Sequence, residues 1–201
     1  EGGLQCVLVP SGLAALALVA LSVLKTGDEV LIPDNAYGPN KAFATAELSA
    51  WGITHRYYDP QNPADLAAKI STATRLVWLE AAGSITLEYP DLPALVAVVK
   101  QANAAREPSA RAVLTALDNT WGAGIAFNAF DMGVDVSMQA LTKYPSGGAD
   151  VLMGSVVTRD ETLHQQVLMT PLRLGLGVSG NDVELVLRGL STMALRYAAQ
   201  D

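Results

Sequence analysis

Residues 112–117 read Ala-Val-Leu-Thr-Ala-Leu, an apolar run of strand length, and it stops abruptly at Asp118-Asn119-Thr120-Trp121-Gly122. Such a run predicts a buried strand that ends in a carboxylate. In open α/β sheets ligands collect outside the carboxyl ends of the strands, so the carboxylate is placed for chemistry. A second short strand, Val134-Asp135-Val136-Ser137-Met138, leads into Leu141-Thr142-Lys143-Tyr144-Pro145-Ser146-Gly147-Gly148-Ala149-Asp150. That order sets Lys143 at the same edge as Asp118.

The rest of the chain repeats the alternation. Strand-like runs at residues 7–10, 29–33, 53–58 and 75–79 are interleaved with helical spacing at residues 13–24, 40–51, 63–70 and 92–105. The pattern predicts an α/β fold with a mostly parallel sheet and helices on both faces. Phe43, Leu48 and Trp51 are expected in the core. Residues 150–157 predict a strand running antiparallel beside the sheet, followed by a polar helix at 160–168, a Gly-rich loop at 170–180 and a helix at 181–199 with Leu185, Leu187 and Leu190 on one side.

Three further stretches sit where chemistry is possible. Ser11-Gly12-Leu13 opens the first helix, where Ser11 suits an N-cap and free backbone N–H groups suit a phosphate. Tyr37 follows the strand at 29–33. Glu80-Ala81-Ala82-Gly83-Ser84-Ile85-Thr86 follows the strand at 75–79, and Glu80 is read first as a buried acid pairing with loop backbone. Taken singly, each is ordinary: Ser-Gly is most often a cap, a loop tyrosine a surface residue, a strand-end Asp a turn former.

Together they are specific. A lysine amine condenses with an aldehyde, and a carboxylate against a pyridine nitrogen keeps that ring protonated and able to accept electrons. Those are the demands of pyridoxal 5'-phosphate. DNTWGAG, then ALTKY, then DVLMGSV resemble the cysteine and methionine metabolism family of pyridoxal-phosphate enzymes over the whole chain, and Gly83-Ser84-Ile85-Thr86 resembles its bacterial β-lyase branch. The resemblance implies the large cofactor-binding domain of fold type I, aspartate aminotransferase-like, at residues 1–180, with 181–201 beginning the helix towards a C-terminal domain. It implies Lys143, Asp118 and Tyr37 as catalytic residues, with Ser11, Gly12, Leu13, Ser84 and Thr142 joining them in binding the cofactor. Tyr37 would lie against the ring and Ser84 near its hydroxyl.

The implied activity is that of a carbon–sulfur lyase splitting the thioether cystathionine, with γ-lyase, γ-synthase and methionine γ-lyase of the same family, or a non-catalytic binding module, as alternatives. The implied assembly is a homo-oligomer, a dimer of dimers, in which a neighbouring subunit's Tyr and Arg complete the phosphate site. The arginine for the substrate carboxylate would lie beyond this chain. Two departures stand out: Ala140 where many relatives have a phosphate-binding Ser, and Gly148 where a His is common.

Composition excludes other classes. A net charge of −7 with 13 scattered Lys and Arg leaves no nucleic-acid footprint. The single cysteine, Cys6, permits no internal disulfide and suggests no metal site, and it is expected as a small buried hydrophobe in a reducing compartment. The apolar run at 13–24 is too short to span a membrane and has no signal-peptide flanks, so a cytoplasmic protein is expected. The missing Gly-x-Gly-x-x-Gly turn argues against a dinucleotide-binding domain.

Overall fold

The computed structural model describes residues 1–200, which form a seven-stranded sheet in the order β1-β7-β6-β5-β4-β2-β3. The strands are β1 (Gln5–Val9), β2 (Glu29–Pro33), β3 (Thr54–Tyr58), β4 (Thr74–Glu80), β5 (Leu114–Asp118), β6 (Val136–Ala140) and β7 (Gly154–Thr158). From β6 across to β3 every described pairing is parallel. β7 pairs antiparallel with both β1 and β6, as its sequence predicts.

Helices cover both faces, because each central strand is apolar on both. Val30 and Ile32 of β2, Leu76 and Trp78 of β4, and Val136 and Met138 of β6 pack with α1 (Gly12–Val23) and α5 (Glu161–Leu174). Leu31, Val77, Leu79 and Leu117 face the other way, onto α3 (Pro63–Lys69) and α4 (Leu92–Ala104). Alternate side chains of a strand point to opposite faces, so a doubly covered strand must be apolar throughout.

Helix starts follow local chemistry. The Ser11 hydroxyl accepts the Ala14 N–H at 3.0 Å, the Asp91 carboxylate accepts that of Ala94, and the Asp160 carboxylate that of Leu163. Asn62 caps α3, whose first residue is Pro63.

Several expectations fail for tertiary reasons. α5 does not stop at residue 168 but continues through a buried Pro171 to Leu174, with Gly175 in the left-handed conformation at its end, so the loop is short. The helix expected over 181–199 is two helices, α6 (Gly180–Leu190) and α7 (Met193–Ala198). Val186 is the side chain of α6 that is buried, whereas Leu187 and Leu190 are exposed. The helix after β2 starts at α2 (Gly38–Phe43) and widens into a turn of π-helix over Ala44–Leu48. Leu48 is buried as expected, but Trp51 is exposed and meets Phe43 edge-on. Cys6 is also exposed, on the edge strand β1, contrary to its reading as a buried hydrophobe. No described helix is long and apolar enough to cross a membrane.

Leu117 is fully buried directly before Asp118. Leu117→Ala is expected to lower the unfolding free energy by about 2–5 kcal/mol in urea denaturation. A loss below about 1 kcal/mol would mean that the core does not close around this strand.

Candidate active site

The carboxyl ends of β1, β2, β4, β5 and β6 open onto a cavity of ≈ 750 Å³. Ser11, Gly12, Leu13, Tyr37, Ser84, Asp118, Thr142 and Lys143 all line it, though they come from five separate strand–loop junctions. A parallel sheet brings these junctions to one edge because each strand ends on the same side.

Asp118 forms the floor. It is 8% exposed, and one carboxylate oxygen accepts the Thr120 N–H at 3.0 Å. Burial raises its pKa, while Thr120 opposes the rise. The Thr120 hydroxyl accepts the Ala140 N–H at 2.9 Å, and the Asn119 N–H donates to the Met138 carbonyl at 2.8 Å, so the end of β5 is sewn to the end of β6. Thr120 therefore does two jobs, holding Asp118 and fixing the entry to the Lys143 turn. Its role lay outside the sequence reading, because nothing local shows which backbone N–H its hydroxyl will meet.

Lys143 sits on a tight turn in which its N–H donates to the Ala140 carbonyl at 3.2 Å and its carbonyl accepts the Gly147 N–H at 2.9 Å. Its amine makes no ion pair or hydrogen bond among the described residues. Tyr37, 42% exposed, stands at the start of α2. At the neighbouring end of β4, Glu80 belongs to the strand rather than to the following loop, and it pairs in register with Asp118. Its oxygens accept the Tyr37 and Ser84 N–H groups, each at 2.9 Å, so the expected pairing with loop backbone is present. Burial, and then the charge of Asp118, push its carboxyl up to about 7.

The sequence reading also missed the contribution of the last two helices. Arg196 of α7 lines the cavity, its guanidinium held by the Gly189 carbonyl at 2.7 Å and the Thr192 hydroxyl at 3.1 Å. The Tyr144 and Tyr197 rings lie 4.8 Å apart, centroid to centroid. No sequence signal could have found these contacts, since they depend on the break between α6 and α7. At Gly148 the Asp150 carboxylate fills the space in which a side chain would start, 2.6 Å from an ideal Cβ. Ala140 leaves a methyl where a hydroxyl would stand.

These groups fit a pyridine ring that bears an aldehyde and a phosphate monoester. Two buried carboxylates with raised pKa values and no cationic partner among the described residues suit a protonated ring nitrogen. A free lysine amine suits the aldehyde. The N-terminus of the twelve-residue α1, in a cavity that Thr142 also lines, suits the phosphate dianion.

The same pKa shifts carry a pH dependence. Glu80 is raised from 4.5 to about 7, so the folded state holds a proton that the unfolded state releases, and the associated stability is present below pH 4.5 and lost as pH rises to about 7. Asp118 acts in the same direction. Glu80→Gln is expected to flatten the fall in stability across that window, read from urea midpoints of cofactor-free protein. An unchanged slope would show that Glu80 is not the group that titrates.

Comparison with known proteins gives the chain's family. The chain is 40% identical over 198 residues to a cystathionine beta-lyase of Bordetella avium, covering 98% of this chain and 47% of that protein. It is 38% identical over 196 residues to a cystathionine beta-lyase of Escherichia coli, covering 98% and 48%. It thus spans about half the length of these relatives. The structure of a cystathionine gamma-lyase from Lactobacillus plantarum, complexed with L-serine, superposes with a TM-score of 0.88 at 25% identity, covering 96% of this chain and 48% of that one. The fold is therefore that of the fold type I pyridoxal-phosphate enzymes, and a family model matches residues 1–201 throughout: the chain belongs to the Cys/Met metabolism PLP-dependent enzymes.

Proposed function

We propose that this chain is the cofactor-binding part of a carbon–sulfur lyase that cleaves cystathionine, with water, to homocysteine, pyruvate and ammonia. The observation that carries the reading is the meeting of Asp118 and Lys143 in one cavity at adjacent strand ends. The β-elimination branch is supported by Gly83-Ser84-Ile85-Thr86 and by the relatives named cystathionine beta-lyase.

Pyridoxal phosphate, when bound, supplies an aldehyde for an amine and a ring that accepts the electron pair left by the substrate's Cα–H bond. Lys143 would hold the cofactor through its aldehyde, and its amine, once free, would serve as general base for the Cα proton. Asp118, buried on the cavity floor, would set a negative charge against the ring nitrogen and so stabilise charge developing in the transition state. The N–H groups at Gly12 and Leu13, the Ser11 cap and the Thr142 hydroxyl hold the phosphate, Thr142 carrying more of that load because Ala140 offers no hydroxyl. Tyr37 and Ser84 line the same cavity, where Tyr37 would pack against the ring and Ser84 would serve its hydroxyl. Residues 1–180 form the cofactor domain, and 181–201 lead on towards a further domain. The full-length protein would assemble as a homo-oligomer, as the family resemblance implies.

Full-length protein supplied with pyridoxal phosphate is expected to release pyruvate and homocysteine from cystathionine; cysteine and 2-oxobutyrate instead would transfer it to the γ-class. In the same assay Asp118→Asn should lose about 10²–10³ in kcat while unfolding at a similar temperature. Near-normal turnover would leave Asp118 a turn former only. Borohydride reduction of the loaded protein followed by peptide mapping should find the pyridoxyl group on Lys143, and a label on Lys41 or Lys100 would defeat the assignment.

A further inference from the structure

Glu80 has no part in the chemistry above, yet it is only 4% exposed and lies on the cavity floor beside Asp118. Its two oxygens serve different loops. Oε2 accepts the N–H of Tyr37, in the loop between β2 and α2, and Oε1 accepts that of Ser84, in the loop between β4 and α4. The side chains of both residues line the cavity.

The two loops are joined a second time through Asn35. Its carbonyl accepts the Ile85 N–H at 3.3 Å, and its side-chain amide donates to the Thr86 hydroxyl at 3.0 Å. Gly83 permits this approach, since an ideal Cβ there would stand 2.2 Å from the Asn35 amide nitrogen. The loops thus form one unit, and Glu80 holds it from below.

We propose that Glu80 is a positioning residue whose carboxylate, by accepting the Tyr37 and Ser84 N–H groups together, sets the gap between the two cavity walls that a flat pyridine ring enters. This rests on the cofactor reading given above. Bridging two donors takes two acceptor oxygens, and a carboxylate makes each bond charge-assisted. Glutamine offers one acceptor and turns an NH₂ donor towards the other N–H, leaving that buried N–H opposed and unpaired. Aspartate keeps both acceptors but is one methylene short. Because the acid is pushed up only to about 7, it is a carboxylate at about pH 8.

The test compares full-length wild type, Glu80→Gln and Glu80→Asp at about pH 8 by pyridoxal phosphate titration, visible circular dichroism of the bound cofactor and thermal unfolding. Glu80→Gln is expected to weaken cofactor binding about tenfold or more and to change the visible dichroism, with Glu80→Asp between it and wild type. A lowered Tm with affinity within about twofold and unchanged dichroism would overturn the proposal, leaving Glu80 a structural acid. Should Glu80→Gln not fold, hydrogen exchange on wild type decides: the amides of Tyr37 and Ser84 are expected to be protected together, and fast exchange at either overturns the proposal. Wild type that fails to bind pyridoxal phosphate at all defeats the cofactor reading and this proposal with it, and is told apart by appearing without any substitution.

Discussion

Burying a carboxylate without a cation is costly, and this structure buries two of them side by side. Asp118 and Glu80 end adjacent parallel strands in register, within a cavity floor where neither has a cationic partner among the described residues. The cost is offset by backbone donors: Thr120 N–H on Asp118, and Tyr37 and Ser84 N–H on Glu80. What these donors do not supply is positive charge, and the raised pKa of both acids expresses that lack. A protonated ring nitrogen would provide it. The loops that shape the cavity are held by the same bonds that make the buried acids tolerable.

The scaffold makes such a floor possible because the central strands are covered on both faces. Residues facing α1 and α5 alternate along the strands with residues facing α3 and α4, so the strand ends are fixed in two layers before any polar contact is made. On that base the polar links at the sheet's edge are few and specific. Thr120 to Ala140 and Asn119 to Met138 join β5 to β6, and thereby place Asp118 relative to the Lys143 turn. On the far side of that turn, Arg196 reaches the carbonyl of Gly189, and Tyr197 meets Tyr144. The last two helices therefore contribute to the wall of the cavity as well as leading away from it.

Local pattern carried the α/β alternation, the antiparallel β7, the cap at Ser11, and the order of the residues that gather in the cavity. These depend on short-range chemistry: runs of apolar residues, capping hydroxyls and carboxylates, and Gly or Pro at ends. Local pattern misled where packing overrode it. Residues 170–180 read as a Gly-rich loop, but Pro171 is buried and the helix passes through it to Leu174. Trp51 and Cys6 looked like core by type, but one lies beyond the end of a helix and the other on an edge strand.

By itself, then, the sequence indicated that the strand ending at Asp118 and the strand leading into the Lys143 turn belong to an alternating α/β chain, whose strand ends share one edge once the sheet is parallel. Through motifs that stand together in order along the chain it also pointed, by resemblance, to the residues that then gather in the cavity. Only the tertiary structure decided what supports them. Thr120 meets the Ala140 N–H, Glu80 spans two loops, Gly83 lies against the Asn35 amide, and Arg196 turns back to the cavity. The Ala140, Tyr37 and Asn35 contacts, and that of Arg196 with the Pro145 carbonyl, each join residues far apart in the chain, so they depend on strand register and loop closure and none is written in a single segment.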